Sequence, residues 1–295
     1  MAQDLSAQPQ CGFADSRRSS GSGPAPSMPK FAANLSFLWK ELPFLKRFDA
    51  AARRGFRHVE FMFPGDGGYE HTADAVRQQL RSTGMTQVLL NAPAGDWASG
   101  ERGLAGLPHH READWQSSFQ FGLDFASEIG CSKIHVMAGR LDDGASEEAL
   151  VERLRWASTV AAARQIRLLV EPLNATDFPG YLVPDCETAL RILNQVDAPK
   201  HCQLQLDVYH LAMTRGVPAL QSSLRELIPI AGHIQIANII GRHEPGCGEI
   251  DFPAVFRMLD ELGYQDAVGC EFKPSTPKTD AALKWANDYG IHISE

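Results

Sequence analysis

No Cys-x-x-Cys pair occurs in this 295-residue chain, and its six cysteines are scattered without framework spacing. A zinc knuckle and a disulfide scaffold are both unsupported, and a reducing, cytoplasmic home is the simplest expectation. No stretch approaches the roughly 18 uninterrupted apolar residues of a membrane span, and the first residues lack the basic-then-apolar order of a secretory signal. Positive charge is also scarce. With 28 Lys and Arg against 36 Asp and Glu, the formal charge of −8 offers no general attraction to nucleic acid or anionic lipid. Neither G-x-G-x-x-G after the first strand nor G-x-x-x-x-G-K-[ST] is present, which argues against a doubly wound nucleotide-binding sheet.

What is there is a globular composition, 44% hydrophobic and 22% charged, preceded by a different segment. Residues 1–27 are rich in Ser, Gly, Pro and Gln, with too few apolar side chains to offset the entropy of ordering, so a disordered tail is expected there. Residues 28–295 then alternate short apolar runs with longer stretches of helical periodicity. The strand candidates are 31–36, 58–63, 86–91, 133–138, 166–172, 202–207, 233–238 and 267–272. Eight such repeats predict a single (β/α)8 TIM barrel, whose chemistry is built where strands end.

The strand-end polar residues are Asn34, Glu60, Asn91, His135, Glu171, Asp207, Gln235 and Glu271. A lone carboxylate at such a place commonly caps the next helix or pairs with a base. Several at one barrel mouth repel unless a cation or a shared proton intervenes. Glu171, Asp207, Gln235 and Glu271 come from four successive strands and form an oxygen-only set suited to Mg2+ or Mn2+ rather than zinc. His135 reads as an interior histidine, Cys270 as a buried thiol facing away from the barrel axis, and Trp97 as either a loop cover or packing.

The segments VEPLNATDFPGY, LDVYH, GHIQIANIIGRHEPGCGEIDF and VGCEFKP, with HVEFMFP and NAPAGDWASGERG, resemble the hydroxypyruvate isomerase family of the xylose isomerase-like TIM barrels. The likeness runs from about residue 30 to the end and includes isomerases of 2-oxo-tetronate. It implies that Glu171, Asp207, Gln235 and Glu271 hold a divalent metal, with Glu171 and Glu271 as the acid/base pair. Gln235 stands where many superfamily members carry His. By the same resemblance Asp177, His210 and Arg242 meet the substrate.

The implied reaction interconverts hydroxypyruvate and tartronate semialdehyde through a metal-stabilised enediolate; 2-oxo-tetronate, differing by one carbon, is the alternative substrate. A carboxylate substrate entering an acidic site needs local cations, and Arg242, His243 and Arg102 are available, while Glu60 and Asn91 are candidates to line the mouth. A zinc endonuclease on the same fold would need more strand-end His and a basic face, which this chain lacks. A non-catalytic sugar-acid binder is the remaining alternative, and keeping both Glu171 and Glu271 argues against it. A homo-oligomer is implied by the resemblance, with no sequence stripe marking an interface.

Overall fold

The computed structural model describes residues 29–292, so the tail expected over 1–27 lies outside the described residues. Eight parallel strands close into one barrel in sequence order: β1 (Phe31–Asn34), β2 (His58–Phe61), β3 (Thr86–Asn91), β4 (Lys133–His135), β5 (Arg167–Val170), β6 (Cys202–Asp207), β7 (Ala231–Ile236) and β8 (Val268–Cys270). Each matches an expected run. Most are shorter than the apolar stretch that announced them, because the last residues of each run already bend into the following loop. Glu171 and Glu271 accordingly sit one residue beyond β5 and β8.

The strands are buried nearly throughout, with apolar residues under the covering helices and polar ones such as Gln205, Asp207, His233 and Gln235 alternating with them in β6 and β7. The covering helices are α1 (Phe44–Arg53), α2 (Ala73–Thr83), α3 (Glu112–Ile129), α4 (Glu147–Ala162), α5 (Cys186–Val196), α6 (Val208–Arg215), α7 (Val217–Leu227), α8 (Phe252–Glu261) and the short α9 (Thr279–Ala282). Their starts follow capping chemistry: Thr72, Ser146, Asp185 and Asp251 each accept a hydrogen bond from a backbone N–H of the first turn. No described helix is long and apolar enough to cross a membrane.

Register sets the height of the side chains in the barrel. Asn34 lies beside Glu60, Asn91 beside His135, and Asp207 beside Gln235, which is itself beside Gly269. Three consecutive loops above β3, β4 and β5 are also tied to one another. Gly106 N–H donates to the Ala138 carbonyl (2.6 Å), Gly139 N–H to that of Arg102 (3.2 Å), Leu141 N–H to that of Gly180 (2.8 Å) and Leu182 N–H to that of Gly139 (3.0 Å). Gly103 sits at φ +121°, and a Cβ there would fall on the Met137 carbonyl, so this close crossing needs glycine.

Candidate active site

Asp207 ends β6 and begins α6. Its Oδ1 accepts from the Tyr209 backbone N–H at 2.9 Å, so it caps the helix, while Oδ2 accepts from Arg242 Nη2 at 2.9 Å. The capping alternative for a strand-end carboxylate and its place in the site therefore coexist. Arg242 reaches back from the loop after β7, with its backbone in the left-handed region at φ 55°. The same Nη2 donates to Glu271 Oε2, and the guanidinium lies 4.8 Å from the Tyr209 ring and 5.1 Å from that of Phe37. Burial works against its charge, but Glu271, Asp207 and Glu171 outweigh that and strengthen its hold on the proton.

Amides complete a ring around the barrel axis. Gln205 Nε2 donates to Glu171 Oε2 (2.9 Å) and to Gln235 Oε1 (2.6 Å); Gln235 Nε2 in turn donates to Glu271 Oε1 (3.1 Å). Glu171, Gln235, Glu271 and Asp207 thus surround one space, linked through Gln205 and Arg242. The carboxyl groups hold their protons more strongly than usual. Burial first, then repulsion from Glu271 and Asp207, raises Glu171 well above the carboxylate range, and burial pushes Glu271 up to about 8 against the pull of Arg242. Asp207 is also raised by burial, with Arg242 opposing.

His210, on α6, lies over Asp207 with Nε2 at 3.8 Å from Oδ2. Its Nδ1 accepts from the Asn174 backbone N–H at 3.1 Å, and burial and Arg242 hold its pKa well below the ordinary value. The ring is therefore neutral with its proton on Nε2, a donor facing the carboxylates. Asp177 lies behind this wall, accepting from Tyr209 Oη (2.6 Å) and Asn174 Nδ2 (3.1 Å).

A divalent cation fits the donor chemistry here. Glu171 Oε1 is buried without a hydrogen-bond partner, and Glu171, Asp207 and His210 each bring one possible ligand atom within 4.8 Å of the others. Because His210 keeps its proton on Nε2, the carboxylates carry that fit. The expected ligands Gln235 and Glu271 stand on the same ring, but Gln235 Oε1 is engaged by Gln205 and Glu271 by Arg242, Asn34 and Gln235.

The remaining expected residues divide. Glu60 is fully buried, bonded to the Asn34 and Gln235 amides. Asn91 ends β3, its carbonyl accepting from Tyr69 Oη at 2.6 Å. His243 is turned away, its Nδ1 2.7 Å from the Lys273 carbonyl oxygen. The Arg102 guanidinium lies 3.9 Å over the Trp97 ring and lines a separate 150 Å³ pocket with Arg140, Asp177 and Tyr181. Trp97 borders a cavity of about 430 Å³ between the loops, together with Phe37, Met62, Phe63, Lys40 and Lys273.

His135, read as a bystander, lies with Nδ1 3.4 Å from Glu171 Oε2, its pKa lowered by burial to about 3. Gln205 and His233 were not singled out, yet each stands two residues before an expected ligand and so shares its face of the strand.

A family model described as the xylose isomerase-like TIM barrel matches residues 48–289. The chain belongs to the hydroxypyruvate isomerase family of these barrels. It is 43% identical to the 2-oxo-tetronate isomerase of Cupriavidus necator over 89% of this chain and 99% of that protein. It is 38% identical to the hydroxypyruvate isomerase of Escherichia coli over 89% of this chain and all of that one. A crystal structure described as an AP endonuclease, family 2, from Brucella melitensis superposes with a TM-score of 0.83 at 38% identity, covering 89% of this chain and all of that one.

Proposed function

We propose that the protein isomerises small 2-oxo-3-hydroxy acids by proton transfer between adjacent carbons, with Glu171 and Glu271 as the acid/base pair. The observation that carries this is two buried carboxyl groups joined through the Gln205 and Gln235 amides, one of them bonded to Arg242, in a chain similar along its length to sugar-acid isomerases. Hydroxypyruvate is the smallest such substrate. One Glu removes a proton from C3, and the electron pair forms the C2–C3 double bond as the carbonyl oxygen gains charge. A proton then adds at C2 while the C3 hydroxyl proton passes to the charged oxygen on C2, leaving the C3 aldehyde and C2 hydroxyl of tartronate semialdehyde.

The two carboxyl groups differ in a way that suits this division. Glu171 has one oxygen, Oε1, free of hydrogen-bond partners and open to a cation or a proton, whereas both Glu271 oxygens are held by donors. A Glu271 value near 8 suits proton exchange at neutral pH. The Arg242 and His210 N–H groups are placed to receive the negative charge that develops on the substrate oxygens. Bound by Glu171 and Asp207, with Gln235 and Glu271 beside them, Mn2+ or Mg2+ would supply further counter-charge to those oxygens.

The four-carbon 2-oxo-tetronate is the second candidate substrate, since a relative 43% identical to this chain is named a 2-oxo-tetronate isomerase. Turnover of both acids by metal-stripped protein, with and without added Mn2+ or Mg2+, tests the reading. Glu171→Gln and Glu271→Gln should each lower kcat by about 100-fold or more. Turnover of neither acid under any metal would refute it.

A further inference from the structure

Glu60 is a carboxyl group with no access to solvent, yet side chains from β1 and β7 converge on it. Its Oε1 accepts from Asn34 Nδ2 at 2.9 Å and from Gln235 Nε2 at 2.7 Å, and its Oε2 lies 2.7 Å from His233 Nε2. Those two amide nitrogens also donate to Glu271 Oε1, each at 3.1 Å. An amide NH2 has two hydrogens, so each bridges the two carboxyl groups, one hydrogen to Glu60 and one to Glu271. The opposite ends of the amides are also fixed, since Asn34 Oδ1 accepts from the Ser36 backbone N–H (3.0 Å) and Gln235 Oε1 from Gln205 (2.6 Å).

A second observation comes from β8. A Cβ added at Gly269 would lie within 2.6 Å of Glu60 Cδ, so glycine at this point of the strand is what leaves room for the carboxyl group. Gly269 is two residues before Glu271 and pairs in register with Gln235. Burying a carboxyl group this deeply is costly unless every oxygen is satisfied, and here the satisfying donors are the same ones that hold Glu271.

We infer that Glu60 is a positioning residue: clamped by His233 and given space by Gly269, it aims the Asn34 and Gln235 amides so that Glu271 is held at the angle proton transfer requires. This rests on the isomerase reading above. Removing the Glu60 acceptor frees both amides to rotate, and a shift of about 1 Å in a reacting group costs about 100-fold in rate.

The test uses the full-length protein with the better of the two acids, unlabelled and deuterated at the carbon that loses its proton. Glu60→Met, close in length and without an acceptor, should lower kcat by about 100-fold with KM changed less than about threefold. The deuterium isotope effect on kcat should rise as proton transfer becomes fully rate-limiting. Gly269→Ala, which displaces the same carboxyl group from the other side, should reproduce that pattern, and it decides the matter if Glu60→Met does not fold. An unchanged kcat, a loss that only tracks the folded fraction with an unchanged isotope effect, or a raised KM with kcat intact would overturn the inference. Absence of turnover by the unaltered protein is a separate result, read before any variant; it refutes the isomerase reading and this role with it.

Discussion

Arg242→Met keeps most of the buried volume of Arg242 and removes its charge. Asp207 Oδ2 and Glu271 Oε2 both bond to the same Nη2, so the two oxygens lie no more than about two hydrogen-bond lengths apart, roughly 5 Å. Two unit charges at that separation repel by about 3 kcal/mol at an effective dielectric constant of about 20. The folded variant relieves this by keeping a proton that the unfolded chain gives up. For acids whose folded pKa is raised, as with Glu171, Asp207 and Glu271, the stabilising contribution is present below the unfolded value and lost as pH rises through the folded one. Arg242 lowers all three, so its loss raises them further, and the deficit of the variant must grow with pH. Urea unfolding of both proteins with chelator present should show a small difference near pH 5 and about 3 kcal/mol near pH 9. A deficit equal at both pH values, or larger at the acid end, would refute the electrostatic reasoning.

Four further outcomes are expected. Chelation should lower turnover and added Mn2+ should restore it, read as rate against free metal concentration. Gly103→Ala should destabilise the protein by about 2–4 kcal/mol in urea unfolding, since the new methyl meets backbone at a left-handed position. The thiols of Cys131, Cys186 and Cys202, pushed by burial up to about 12, should resist a disulfide reagent in the native protein and react at once in denaturant. Asp266→Asn should lower the melting temperature at neutral pH by leaving buried Lys133 without its 2.6 Å partner. Burial opposes the charge on Asp266, but Lys133 and Arg167 hold its pKa below the usual range, so its contribution disappears as pH falls through that lowered value and the two proteins converge in acid.

The barrel was legible because its signal is local and repeated: each strand is an apolar run, each crossover a helical pattern, and the eight units follow in order. The strand-end positions of Glu171, Asp207, Gln235 and Glu271 were readable for the same reason. What a side chain does after leaving its strand depends on neighbours distant in sequence. His135 is buried, as an interior histidine should be, but that it lies 3.4 Å from Glu171 of the adjacent strand is not visible from its own neighbours in sequence. Glu60 was expected at the mouth, but space beside Gly269 on β8, 209 residues further along the chain, lets it point inward. Arg102 and His243 carry the right charge for a carboxylate ligand, yet the first stacks on Trp97 and the second braces Lys273.

The hydrogen bonds joining the loops above β3, β4 and β5 have a bearing on how this protein can be altered. Because Gly106, Gly139 and Leu182 each depend on backbone from a neighbouring loop, the three form one sewn panel at the rim rather than three independent flaps. A graft from a relative that replaces one of them would leave ragged, unpaired edges on the other two. Exchange of substrate preference between relatives by transplantation should therefore succeed only when all three pieces, with Gly103 at the seam, travel together.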